Sequence, residues 1–366
     1  MVNSPNQLAG GLCLLAALVA GCGKAPAAAP ADGGRLVVDM AGNTVRVPKN
    51  IRSIGCLEVL CYEKLFLLGA SERVVMMIRT NAPWMQQTNP RLKDIQQLAS
   101  EPGSEELLRQ HVDVVFRTFG YPEPAKIEQL AKMGVPVLVS QTMGRDRIDS
   151  IEAFVESRKR MLRVFGQALG PQYLARAEEW CAYHDRMVAY VRARTDSIPP
   201  EKRLRLFHVR GPAANHTSGL ASHPYWYAVI AGADMVIKNQ PMAGKGDVSM
   251  EEILKWDPEV VNIGRQYSAE LVTKDSRWAT VSAVRHGRVR ELPEGVFYWD
   301  GSTEGVLYML YVAKELYPER FADLDLKKEF RDYYARFYRY TLSEREVDQM
   351  LQGKGPDGLR RNEMNN

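Results

Sequence analysis

Apolar and polar positions change period along the chain in a regular order. Arg35–Met40 and Thr44–Pro48 alternate on either side of an Ala-Gly-Asn turn, which predicts a small hairpin. Ser53–Leu57 reads as a short strand, Glu58–Leu68 as a helix closed by Gly69, and Val74–Ile78 as the next strand. A helix over 104–111, a strand over Asp113–Arg117, a helix over Lys126–Met133 ended by Gly134 and a strand over Val135–Val139 continue the alternation. Strands separated by helices argue for a parallel sheet covered on both faces.

The pattern then turns wholly helical. Ile148, Ile151, Phe154, Met161, Leu162 and Phe165 recur at helical spacing, and Gly170-Pro171 interrupts them. A second apolar stripe runs from Pro171 to Thr195 through Leu174, Ala177, Trp180, Cys181, His184, Met187, Val188 and Val191. At ~1.5 Å per residue it spans roughly 38 Å, about the width of a small domain. After Ser197-Ile-Pro-Pro the mixed pattern restarts. Strands are predicted at Leu204–Val209, Glu259–Ile263 and Val289–Leu292, and helices at Tyr225–Ala231, Ser249–Lys255, Gly305–Leu316 and Leu326–Tyr340. The expected fold class is α/β: two Rossmann-like lobes with central, mostly parallel sheets, linked by a long α-helix. The lobes are assigned to residues 35–170 and 198–345, the connecting helix to 171–197 and a frayed tail to 346–366.

Composition narrows the class. The chain has 366 residues, 45% hydrophobic and 25% charged, an ordinary globular balance. No stretch approaches the ~18–20 apolar residues of a membrane span. The net charge of +4 comes from 48 basic and 44 acidic residues that are interspersed, so no nucleic-acid partner is indicated. Five cysteines do not make a disulfide scaffold.

The N-terminus bears on the compartment. Leu12–Ala20 is a short apolar run of the length of a secretory signal core, although Met1–Gly11 carries no Lys or Arg. Leu18-Val19-Ala20-Gly21-Cys22 resembles a bacterial lipoprotein cleavage box, in which the cysteine takes the lipid. The resemblance implies a signal peptide over 1–21, lipidation at Cys22 and a Pro/Ala/Gly-rich tether over 22–34. The folded body is therefore expected outside the cytoplasm, held to a bacterial membrane by its anchor.

Four further segments carry a family resemblance. They are DMAGNTVRVP with IRSIGCL, Gly103–Val115, Val248–Val261, and Trp278–Leu292 followed by Tyr298-Trp-Asp and VAKELYPERF. In this order they resemble the substrate-binding proteins of ABC importers for iron-siderophore, haem and cobalamin, whose two lobes are joined by one rigid helix. Ser104-Glu-Glu-Leu-Leu and Met250-Glu-Glu-Ile-Leu also resemble each other, which supports two related lobes independently. The resemblance implies a monomer serving a permease and its ATPase, with Glu105 and Glu251 as the docking knobs. It also implies a ligand held between the lobes, with no intrinsic cofactor.

The loops after the strands would wall that cleft. They supply Arg79, Trp84 and Met85, then Phe119 and Tyr121, in the first lobe, and Arg210, His216, Arg265, Tyr267, Tyr298 and Trp299 in the second. Tyr225 and Trp226 belong to the densest aromatic cluster, which could line the cleft or start a buried helix. Aromatics offer flat contact area and arginines offer fixed forks for anionic groups. That mixture suits a metal chelate with an anionic rim, a ferric siderophore foremost. Each aromatic can equally cap the core of its own lobe. Six histidines, scattered at 111, 184, 208, 216, 223 and 286, argue against a bare-metal site, and no metal ligand is assigned. In an exported protein Cys56 and Cys61 could pair, but the strand-helix spacing does not establish the geometry, so they and Cys181 are expected as buried thiols. The alternatives are a corrinoid or haem, and a small oxyanion such as molybdate, which would want few aromatics. An anchored hydrolase is a different class, but no G-x-S-x-G, HExxH or phosphate-loop motif is present, so a binding protein rather than an enzyme is expected.

Overall fold

β1 (Arg35–Val38) and β2 (Thr44–Val47) pair antiparallel as the expected hairpin, with Arg35 opposite Val47. The structure is a computed structural model that describes residues 33–118, 124–142, 148–240, 242 and 244–360. The first lobe follows as β3 (Ile54–Cys56), α1 (Cys61–Leu68), β4 (Val74–Ile78), α2 (Met85–Thr88), β5 (Gln96–Leu98), α3 (Ser104–Arg109), β6 (Val114–Thr118), α4 (Pro124–Lys132) and β7 (Val137–Gln141). Its five strands run parallel in the order β5-β4-β3-β6-β7. Their burial on both faces explains the continuous apolar runs of β6 and β7.

α5 (Ile151–Leu169) and α6 (Pro171–Thr195) form the helical passage. Ser150 caps α5 by accepting from Ala153 N, and Pro171 starts α6 where an amide would be unpartnered. The two helices turn back on each other through Gly170. Their approach is close enough that a methyl on Gly166 would stand 2.8 Å from Leu174 Cα.

The second lobe contains β8 (Arg205–Val209), β9 (His216–Ser218), α7 (His223–Ile230), β10 (Asp234–Met235), β11 (Lys245–Asp247), α8 (Met250–Trp256), β12 (Val260–Ile263), α9 (Glu270–Thr273), α10 (Ser282–Arg285), β13 (Val289–Glu291), α11 (Gly305–Leu316) and α12 (Leu326–Tyr333). Strands β8, β12, β13 and β10 are parallel, and β9 and β11 add an antiparallel edge. One apolar core runs through α1, α5, α6, α7, α11 and α12, so it belongs to both lobes. Smaller cores cover the outer faces of the second and first sheets.

Several expectations are corrected. The short elements α2, β5, β9–β11, α9 and α10 are too brief to show a period. Cys56 and Cys61 form a disulfide with Cα atoms 5.5 Å apart, because α1 begins at Cys61 and turns back beside the end of β3; only Cys181 is a free buried thiol among the described residues. The tail is not frayed as far as Arg360. α13 (Glu344–Leu351) opens with a full capping box between Ser343 and Glu346, a readable signal that was missed. Beyond it, Lys354 O accepts from the Trp84 indole at 2.9 Å and Arg360 pairs with Glu291 at 2.8 Å. Among the described residues no helix is long and apolar enough to cross a membrane.

Candidate functional site

β8 and β12 end side by side, with Val209 opposite Ile263, and deliver Arg210 and Gly264-Arg265 to the same sheet edge. Arg265 and Gln266 both hold left-handed backbone, at φ 58° and 59°. Two consecutive non-glycine residues in that region are costly and need support. Gln266 N donates to Glu294 Oε1 at 3.0 Å, and Tyr267 is buried against Gly211. The turn aims Arg265 at Asp300, with Nε 2.7 Å from Oδ1, while Arg210 Nε stands 3.5 Å from Oδ2. The Arg265 guanidinium lies 4.5 Å over the Tyr298 ring. Burial alone would raise the Asp300 carboxyl, but Arg265 and Arg210 outweigh it and hold the pKa below the ordinary value. Burial pushes His208 down to about 4, so the imidazole is uncharged at neutral pH, and burial raises the Glu294 carboxyl well above its ordinary value.

In the first lobe Glu58 follows β3 and is buried. Ser140 Oγ donates to it at 3.0 Å and Thr118 Oγ1 at 3.2 Å. Lys64 stands 3.9 Å from Glu58 and donates to Leu60 O at 2.9 Å. It belongs to α1, whose eight residues are all buried, and burial lowers its pKa. Arg158 of α5 bonds the His223 ring of α7. Burial, then Arg158 and Lys64, hold His223 neutral. The two lobes meet at Gly301, where a methyl would lie 3.6 Å from Leu60 and 3.7 Å from Arg265 Nη2. Near this inter-lobe contact Lys64 pairs with Glu58, Arg210 and Arg265 pair with Asp300, and Arg158 bonds His223. An arrangement of this charge can hold an anion by hydrogen bonds from fixed forks.

The expected site residues divide. Arg210, Arg265 and Tyr298 come together as described. Trp84, Met85, Tyr267, Tyr298 and Trp299 are all buried. Trp84 precedes α2 and Met85 opens it; both join the main core, and the Trp84 indole donates to Lys354 O. Trp299 packs on Phe330 at 4.9 Å. Tyr225 and Trp226 are half-buried on the first turn of α7, in edge contact at 5.3 Å. His216 pairs with Asp247 at 2.6 Å on the β9–β11 edge, and Arg79 is exposed beyond β4. Phe119, Tyr121 and Cys22 lie outside the described residues. Glu105 and Glu251 are exposed and occupy the same second position of α3 and α8. Asp300, His208, Glu58, Lys64 and Arg158 were not singled out. The charged pair Glu63-Lys64 inside the otherwise largely apolar run Cys61–Leu68 was the available signal for one of them.

The model of the family described as Periplasmic binding protein matches residues 54–296, and the chain belongs to that family. It is a substrate-binding protein of an ABC transporter and not an enzyme. The molybdate-binding protein MolA of Haemophilus influenzae is 24% identical over 330 residues, which cover 83% of this chain and 91% of that protein. The solved structure of MolA bound to molybdate superimposes with a TM-score of 0.76 at 22% identity, over 84% of this chain and 99% of that one. A periplasmic solute binding protein of Veillonella parvula matches at 0.73 and 21% identity, over 87% and 97% of the two chains. Helicobacter pylori CeuE with Ni(II) bound matches at 0.67 and 20% identity, over 86% and 99%. At these identities the likeness to the solved structures establishes the two-lobed fold.

Proposed function

We propose that this binding protein captures a small tetrahedral oxyanion of the molybdate class between its lobes and delivers it to a permease. The observation that carries the reading is the pair of guanidiniums, Arg210 and Arg265, sharing the buried carboxylate of Asp300. An oxyanion presents the same oxygen acceptors as that carboxylate and competes for the same donors. The burial of Trp84, Tyr267 and Trp299 supports a small polar cargo over a broad aromatic one. The molybdate named for MolA supports the same class. A metal chelate, with a ferric siderophore foremost, is the second reading, favoured by the half-buried pair Tyr225 and Trp226 beside His223. We further propose that Cys22 carries the lipid anchor, that the protein works as a monomer and that Glu105 and Glu251 dock on the permease. Calorimetric titration of residues 35–360 with molybdate, tungstate, sulfate, a ferric hydroxamate and a ferric catecholate tests the cargo. Saturable one-to-one heat with molybdate or tungstate is expected. Response to a chelate alone would replace the first reading by the second, and silence with the whole panel would refute both.

A further inference from the structure

His208 lies on β8 with its side chain turned towards α11 rather than towards the outer core that holds its neighbours Phe207 and Val209. It is 1% exposed, yet neither ring nitrogen has a hydrogen-bond partner among the described residues. Such a group is costly to bury without a purpose, since each buried polar atom gives up water. Its position relates it to the anion site. A methyl on Gly264 would stand 3.1 Å from His208 Cε1, 3.4 Å from Nε2 and 3.8 Å from Asp300 Oδ2. The imidazole and the Asp300 carboxylate therefore both pack close to the Gly264 backbone, next to the turn that carries Arg265. The charged and polar groups around the ring include Asp300 before α11, Arg210 at the end of β8, Arg265 after β12, Asn262 opposite His208 on β12, and Tyr308 of α11 at 6.3 Å between ring centroids.

We propose that His208 is the floor of the cargo site: it faces the captured anion, and capture is accompanied by uptake of one proton from solvent onto its imidazole. This inference rests on the oxyanion reading above. Before capture, Asp300 is committed to Arg265 and Arg210, and those two cations help keep the imidazole neutral. An arriving anion engages the guanidiniums and releases part of Asp300's hold on them. The imidazole then has two negative neighbours, the anion and the loosened carboxylate, and its protonated form becomes favourable. Both ring nitrogens become donors in that form, which gives partners to two buried atoms that lack them. No bond other than N–H is made, and the proton comes from buffer.

The test is calorimetric titration of the protein with molybdate and tungstate at pH 6, 7 and 8, each in two buffers of different ionisation enthalpy. These oxyanions remain dianions over that range, so uptake reports on the protein. The expected result is uptake approaching one proton per anion, with at least about a tenfold gain in affinity from pH 8 to pH 6. His208→Gln is expected to bind with no proton uptake and a flat pH profile. Binding without proton uptake in the wild-type protein would overturn the role of His208 while leaving the oxyanion reading intact. Absence of binding at every pH would instead refute the oxyanion reading. The wild-type buffer comparison decides the matter even if the variant fails to fold.

Discussion

Glu63 accepts a hydrogen bond from the Tyr338 hydroxyl at 2.6 Å, tying the first helix of one lobe to a residue 275 positions later. Thr303 bonds the same carboxyl, and Tyr333 donates to Thr303 Oγ1 at 3.1 Å. Trp180 of α6 donates in turn to the Tyr333 hydroxyl at 3.0 Å. The polar chain runs from the first lobe through the second to the connecting helix, wholly inside the core. Tyr338→Phe leaves Glu63 buried with one donor fewer. The expected loss is about 1–3 kcal/mol of folding stability, measured by urea denaturation. An unchanged midpoint would show that the contact contributes nothing.

Glu304 supplies a pH dependence. Burial pushes it up to about 8, from 4.5, against the donors Tyr334, Phe297 N and Val296 N, which lower it. The folded chain keeps a proton there that the unfolded chain gives up above about pH 4.5. This contribution to stability is complete below that pH and is lost as pH rises through about 8. Melting temperature is therefore expected to fall between pH 5 and pH 8, and Glu304→Gln to flatten that slope. A steeper fall in the variant would contradict the assignment.

Arg265→Ala removes the donor closest to Asp300 and is expected to weaken oxyanion binding roughly tenfold to a hundredfold, the scale of a charged hydrogen bond. Arg265→Lys keeps the charge but not the fork, and an intermediate affinity is expected. Equal affinities for all three proteins would remove Arg265 from the site.

Glu105→Lys with Glu251→Lys reverses two exposed charges that have no contact with the paired guanidiniums. Cargo affinity is expected to stay unchanged while uptake by cells expressing the importer falls. Normal uptake at normal expression would discard the docking role.

The alternation of short strands and helices made the two lobes legible, because parallel strands buried on both faces leave unbroken apolar runs. The 25-residue helix α6 was legible for the same reason at a different period. Loop side chains were harder. Trp84 and Trp299 follow strands just as Arg210 and Arg265 do, and sequence position alone does not say which will turn inward. The difference lies in partners distant along the chain: Lys354 for Trp84, Phe330 for Trp299, Asp300 for both arginines. His208 read as an ordinary strand residue, since its meaning comes from Gly264 and Asp300.

The single core that passes through α1, α5, α6, α7, α11 and α12 constrains how such a chain diversifies. Cutting the gene within α6 would yield two halves, each with a raw apolar face and severed partners for Glu63. Neither half is a unit that recombination can lend to another protein. At the strand ends Arg210 and Arg265 lie outside that shared core, and a new arginine or tyrosine there can alter what is carried without disturbing what carries it.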